Sequence, residues 1–175
     1  LGCVLLELAQ PEQALVCFNR LLARDPQSEQ GLYGRGNCLK QLNRFPETIH
    51  CWQQLLNQKP AYPYLRGALF SLRQNCCDWQ DYDACEQALL TAVLSGSKAA
   101  NPFDFLMTTA SASQQLYCAR QYARQEYPAK PAPLWQGEIY RHQRIRIAYL
   151  SADYYNHATA YLMAELFARH DQRRF

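Results

Sequence analysis

The stretch at residues 150–163, LSADYYNHATAYLM, holds the one histidine of this chain placed where a histidine can do chemistry. His157 follows the apolar run Ile145–Leu150 and stands at the start of a segment, Ala158–His170, with helical spacing. An imidazole titrates near pH 6.5, so at neutral pH it can take a proton or donate a hydrogen bond to a phosphate. Asn156 and Thr159 flank it with an amide and a hydroxyl, and both are candidate substrate-binding residues. A histidine opening a helix is more often a cap or a surface residue, and only its position past an apolar run raises His157 to a candidate catalytic group. His50 and His142 lack such a setting, while His170 closes its helix and suits the C-terminal dipole. The other titratable clusters point away from chemistry. Asp78, Asp81 and Asp83 read as an acidic helix start in preference to a metal site. Among eight cysteines there is no C-x-x-C and no Cys/His spacing for zinc, so no metal site is expected. Buried reduced thiols are the preferred reading over disulfides, which points to a cytoplasmic protein.

The elements around His157 set its meaning. Arg144–Leu150 (RIRIAYL) begins by alternating and ends in an apolar run, which predicts an inner parallel strand. The helix over 158–170, with Leu162, Leu166 and Phe167 on one face, follows after a short loop. Strand, loop and helix together predict the first β-α unit of a Rossmann-like sheet, where ligands sit at the carboxyl ends of strands and helix N-termini face anions. No G-x-G-x-x-G is present, so a dinucleotide fingerprint is not expected.

Upstream the chain is helical and repetitive. Sliding residues 1–30 forward by 34 positions gives seven identities: Gly2/Gly36, Leu5/Leu39, Leu8/Leu42, Cys17/Cys51, Leu21/Leu55, Leu22/Leu56 and Pro26/Pro60. Phe18 meets Trp52 at the same offset. The spacing L-G-x-x-L…A-x-x-x-F…P, carried by Leu1, Gly2, Leu5, Ala14, Phe18 and Pro26, is the tetratricopeptide (TPR) signature. Small Gly2, Gly36 and Ala14 let paired helices approach, large Phe18 and Trp52 fill the space between repeats, and Pro26 and Pro60 end the second helix of each. Asn37, Gly34 and Lys40 are candidates to face a peptide-binding groove, with Asn37 the candidate substrate-binding residue there. The first repeat opens inside its helix, so a longer array is expected. After Pro60 the register is lost, although Ala61–Cys77, Trp79–Ser95 and Ser111–Glu126 keep helical spacing. Pro128, Pro131 and Pro133 predict a stiff linker, with Trp135 and Tyr140 pinning it to something larger. The expected organisation is two TPR repeats over 1–60, junction helices over 61–127, a linker over 128–143 and the start of an α/β lobe over 144–175.

Composition excludes several classes. With 18 basic and 15 acidic side chains the net charge is +3, and no basic stripe alternates with aromatics, so nucleic acid is not an expected partner. No apolar run approaches the roughly 18–20 residues that cross a membrane.

The repeats, the junction CDWQDYDA (Cys77–Ala84) and RIRIAYLSADYYNHATAYLMAELFARHD (Arg144–Asp171), in that order, resemble the TPR-containing O-linked N-acetylglucosamine transferases, specifically a bacterial member. That resemblance spans nearly the whole chain, and the Spindly-type O-fucosyltransferases share the architecture. It implies a mostly α chain in which a TPR solenoid and junction helices lead into the first β-α unit of a GT-B glycosyltransferase lobe. The implied reaction is inverting and metal-independent, without a cofactor. N-acetylglucosamine passes from the nucleotide-sugar donor UDP-GlcNAc to a Ser or Thr hydroxyl of a protein acceptor chosen by the TPR groove. His157 matches the family's active-site histidine, a general base or a group that positions substrate. Tyr161 stands where many relatives carry histidine, and Ala158 where they usually carry proline. The family's donor contacts come mainly from a C-terminal lobe beyond Phe175, so these 175 residues alone are expected to transfer no sugar. Two alternatives stay open: a TPR protein-binding scaffold, and an O-fucosyltransferase using GDP-fucose.

Overall fold

A computed structural model describes all residues except Lys130, Pro131, Pro133, Leu134 and Gln172. The chain divides into two compact units, Leu1–Ala129 and Lys130–Phe175. Part of the expected linker, Pro131 and Pro133, lies outside the described residues.

The first unit opens with two helical hairpins. Helices α1 (Gly2–Glu7) and α2 (Pro11–Arg24) form one; α3 (Glu29–Gln41) and α4 (Phe45–Gln58) form the next. The 34-residue repeat is legible in the backbone itself. Both hairpin turns place a residue in the left-handed region at equivalent positions, Ala9 (φ 55°) and Asn43 (φ 56°). Each turn is closed by an equivalent bond, Gln10 N–H to the Leu5 carbonyl at 2.9 Å and Arg44 N–H to the Leu39 carbonyl at 2.8 Å. The second helices end alike, on Asp25 (φ −135°, ψ 89°) and Lys59 (φ −135°, ψ 82°). Each precedes a proline, whose ring drives the preceding residue out of the helical region.

Packing follows the small-large pattern. Ala14 is fully buried at the α1–α2 crossing, and its equivalent Thr48 is buried too, its hydroxyl satisfied by the Arg44 carbonyl at 3.1 Å. A Cβ built at Gly36 would lie 2.2 Å from Trp52 Nε1, and one at Gly34 would lie 2.3 Å from the Phe18 ring. Phe18 thus fills the space between hairpins, as expected of it. Gly34 is buried under that ring and does not face a groove: the aromatic needs a position without a side chain.

Beyond Pro60 the stacking changes. Helices α5 (Leu65–Asn75), α6 (Tyr82–Leu94), α7 (Pro102–Phe105) and α8 (Ala112–Glu126) complete the unit. Leu65, Leu69 and Leu72 of α5 join the core of the second hairpin, with Trp52, Leu55 and Leu56. A second core gathers Phe70, Leu89, Val93, Phe105 and Cys118 from α5 to α8. The 98–99 segment lies on the first turn of α5, where Gly67 N–H donates to the Ala99 carbonyl at 2.9 Å; a Cβ at Gly67 would meet Ala100 Cβ at 2.5 Å. The buried Glu86 carboxylate accepts from Thr109 N–H (2.7 Å) and the Tyr82 hydroxyl (3.3 Å), tying the 107–110 turn to α6. Ser111 and Gln114 form a reciprocal capping box at α8.

The aspartate trio does less capping than expected. Asp81 is the residue before α6 but sits in the left-handed region (φ 54°) with no side-chain cap bond. Asp78 instead accepts from Gln80 N–H and lies 3.6 Å from Arg73 Nε, leaving Asp83 as the acid of the first turn.

In the second unit the expected helix forms as α9 (Ala158–Arg169), but no strand forms among the described residues. No ladder forms along 144–150 among the described residues, although Ile145 N–H donates to the Arg174 carbonyl at 2.9 Å; a single such bond does not make a strand. Ile145, Ile147 and Leu150 are exposed, as is the Leu162 face of α9, so the expected inner strand is not buried. Trp135 and Tyr140 are also exposed; Trp135 Nε1 donates to the Glu138 carbonyl and Tyr140 stacks on His142. What order the unit has comes from Tyr149 and Tyr154 packed edge-on against Phe167, and from Tyr149 bonded to His170. No helix among the described residues is long and apolar enough to cross a membrane.

Candidate functional site

The site is built on the N-terminus of α9. Its first N–H groups have no partner within the helix, and a residue just before them must supply an acceptor. His157 does so in an extended conformation (φ −144°, ψ 153°): its Nδ1 accepts from Thr159 N–H at 3.2 Å. The Thr159 hydroxyl also lies 3.2 Å from Nδ1, and the Tyr155 ring stands 5.7 Å from the imidazole centroid. Asn156 is tied in as well, its Oδ1 accepting from the Tyr161 hydroxyl. Three of the four sequence-predicted site residues are therefore within one local cluster, with His157 and Thr159 in contact and Asn156 anchored through Tyr161.

The cap has a chemical consequence. A neutral imidazole carries one N–H, and an Nδ1 that accepts from the backbone leaves the proton on Nε2. In this arrangement Nε2 is the donor of an exposed histidine, suited to a phosphate or carbonyl oxygen. Service as a proton acceptor through Nε2 would require the ring to surrender its cap or switch tautomer.

Asn37 belongs to the first unit. It is half-buried at the edge of an open depression of about 590 Å³ shared with Leu6, Glu7, Lys40, Gln41 and Asn43. Lys40 lies over the Trp52 ring, 5.7 Å from its centroid, so this helix face is polar and backed by the repeat's aromatic.

Sequence reasoning passed over a second feature. Arg66 and Arg73 lie seven residues apart on α5, one face of a helix, and open into a cleft of about 510 Å³ against α4 and α6. A pair of cations at i and i+7 within an apolar helix was the available signal.

No protein-family model matches this chain, and no curated protein matches it significantly.

Proposed function

We propose that this chain is part of a protein O-glycosyltransferase that moves N-acetylglucosamine from UDP-GlcNAc to Ser or Thr hydroxyls. The helical hairpins would select protein acceptors, and the α9 N-terminus with His157 would form one wall of the catalytic cleft. The carrying observation is the conjunction of 34-residue helical hairpins with an exposed histidine that caps a helix through Nδ1. A helix N-terminus with an adjacent N–H donor suits an oxygen that gains negative charge, as in a nucleotide diphosphate leaving group. Asn156 and Thr159 would hold polar groups of the bound substrate, and Asn37 would contribute to acceptor binding. No strand accompanies α9 among the described residues, so the Rossmann-like β-α unit is itself part of the proposal. The cytoplasmic setting rests on the free thiols, of which Cys38, Cys51 and Cys118 are buried.

The test is His157→Ala in the intact protein with saturating UDP-GlcNAc. Loss of a positioned acid–base or donor group costs about 10²–10⁴-fold in transfer; a change below about threefold would remove His157 from the mechanism. Calorimetry with UDP addresses the scaffold reading, which requires that the intact protein bind no nucleotide.

A further inference from the structure

The cleft of about 510 Å³ between α4, α5 and α6 has the size of a ligand-binding site. Leu56, Leu69 and Phe70 give it an apolar floor, and two guanidinium groups stand at its walls. Neither is well satisfied. Arg66 has no acidic partner among the described residues; its one bond is a long one, Nη2 to the Pro60 carbonyl at 3.4 Å. Arg73 is only 21% exposed, and its Nε is buried without a hydrogen-bond partner. Asp78 Oδ2 lies 3.6 Å from that Nε, near enough for attraction but too far for a bond, and Nη1 reaches only the Cys85 sulfur at 3.9 Å. A buried donor left unmade costs free energy that an incoming acceptor recovers. Gln53 and Asn57, bonded to each other at 3.1 Å, add amides along the α4 side.

We infer that this cleft binds an extended acidic peptide segment of a partner protein, its carboxylates paired with Arg66 and Arg73 and an adjacent apolar side chain seated on Leu56, Leu69 and Phe70. A carboxylate matches the planar fork of a guanidinium with two parallel hydrogen bonds, and it would supply the acceptor that Arg73 Nε lacks. The floor favours a peptide over a free anion, because Leu56, Leu69 and Phe70, each 5–8% exposed, keep an apolar edge in the cleft that an adjacent side chain can cover and an anion cannot. This site is separate from the Asn37 depression, and it stands or falls independently of the transferase proposal.

The test uses the full chain, ¹⁵N-labelled, and two pools of acetylated hexapeptides. One pool alternates Leu, Ile or Phe with Asp or Glu; the other is identical but carries Asn or Gln for the acids. The acidic pool is expected to shift amides of 53–57 and 66–73 and the Arg73 Nε–H saturably, and the neutral pool to bind at least tenfold more weakly. Arg66→Glu, on an accessible part of α5, is expected to weaken the acidic pool by about tenfold or more, with Arg66→Lys intermediate. Far-UV circular dichroism checks that both variants keep their helices, and chemical shifts of wild type alone carry the result if they do not. No saturable shift at millimolar peptide, equal binding of the two pools, or shifts mapping to α3 would each overturn the proposal. Displacement of the peptide by equimolar inorganic phosphate would overturn it in favour of a free-anion site.

Discussion

Gly36→Ala adds one methyl group where a glycine of the second hairpin lies directly against Trp52. Its Cβ would lie 2.2 Å from Trp52 Nε1 and 2.4 Å from Cδ1, against the 3.4 Å or more of an ordinary contact. The indole must retreat by more than an ångström, yet it is 2% exposed and held by Leu55, Leu56, Leu65 and Leu69. Overpacking of this kind costs about 1–3 kcal/mol, and a displacement this large belongs near the top of that range. Alanine returns about 1 kcal/mol in helix propensity over glycine. The expected net loss is therefore about 2 kcal/mol, read as a lower urea midpoint by far-UV circular dichroism. Gly2→Ala is the internal comparison: its Cβ would meet only the edge of Phe18 at 2.8 Å, on a short terminal helix, and the loss should be smaller. A double-mutant cycle with Trp52→Leu isolates the clash. The larger-to-smaller change makes room for the methyl, so the two effects should be non-additive by about 1–3 kcal/mol. A Gly36→Ala protein as stable as wild type, or a cycle additive within about 0.5 kcal/mol, would refute the packing argument.

Two further expectations concern titratable groups. The Glu126 carboxyl is held below its usual range by its bond to Lys98 Nζ (2.8 Å) and by the Tyr64 hydroxyl, so the stability it contributes is complete above the ordinary carboxylate range and is lost as pH falls through its lowered pKa. The stability difference between wild type and Glu126→Gln should accordingly shrink below about pH 4.3, and parallel stability–pH curves would contradict this linkage. Burial pushes the Cys38 thiol up to about 11 and raises Cys51 and Cys118, whereas Cys3 and Cys77 are exposed. Maleimide at pH 7.5, followed by mass spectrometry, should modify Cys3 and Cys77 first and the buried three only on unfolding; Cys38 reacting as fast as Cys3 would overturn this.

The repeat was legible because its constraints are local. A proline ends each second helix by its own ring, a leucine turn follows at a fixed interval, and Gly2, Gly34 and Gly36 mark where an aromatic must approach. Gly34 also shows the limit. Read along the chain it shares a face with Asn37, but only the neighbouring hairpin reveals that Phe18 covers it. The apolar run over 144–150 announced burial, yet a strand is made by its partner, and no partner strand is present among the described residues. Helix α9 formed regardless, because its bonds lie within the segment. Glu86 and the Arg66–Arg73 cleft were hidden for a different reason: Glu86 is bonded across to the 107–110 turn, and the cleft needs α4 and α6 opposite α5, so the i, i+7 cations mark a face without saying what stands across from it.

His157 carries two loads that a single alanine substitution removes together. It caps α9, and under the proposed function it faces the substrate. Helix α9 has no buried residue and twelve residues in all, a length at which an isolated helix is marginal, so the cap bears on whether the N-terminal turn forms. Loss of a cap costs about 0.5–2 kcal/mol. His157→Ala could thus abolish transfer merely by fraying the turn that holds Asn156 and Thr159. Asparagine separates the loads, because its short side-chain oxygen is among the best N-caps while it has no imidazole. Amide exchange at Thr159 and Ala160 should stay protected in His157→Asn and rise in His157→Ala, and transfer by the intact protein should fall about 10²-fold or more in both. If His157→Asn retained wild-type transfer, the histidine would be a helix cap and nothing further, and the catalytic reading of LSADYYNHATAYLM would fall with it.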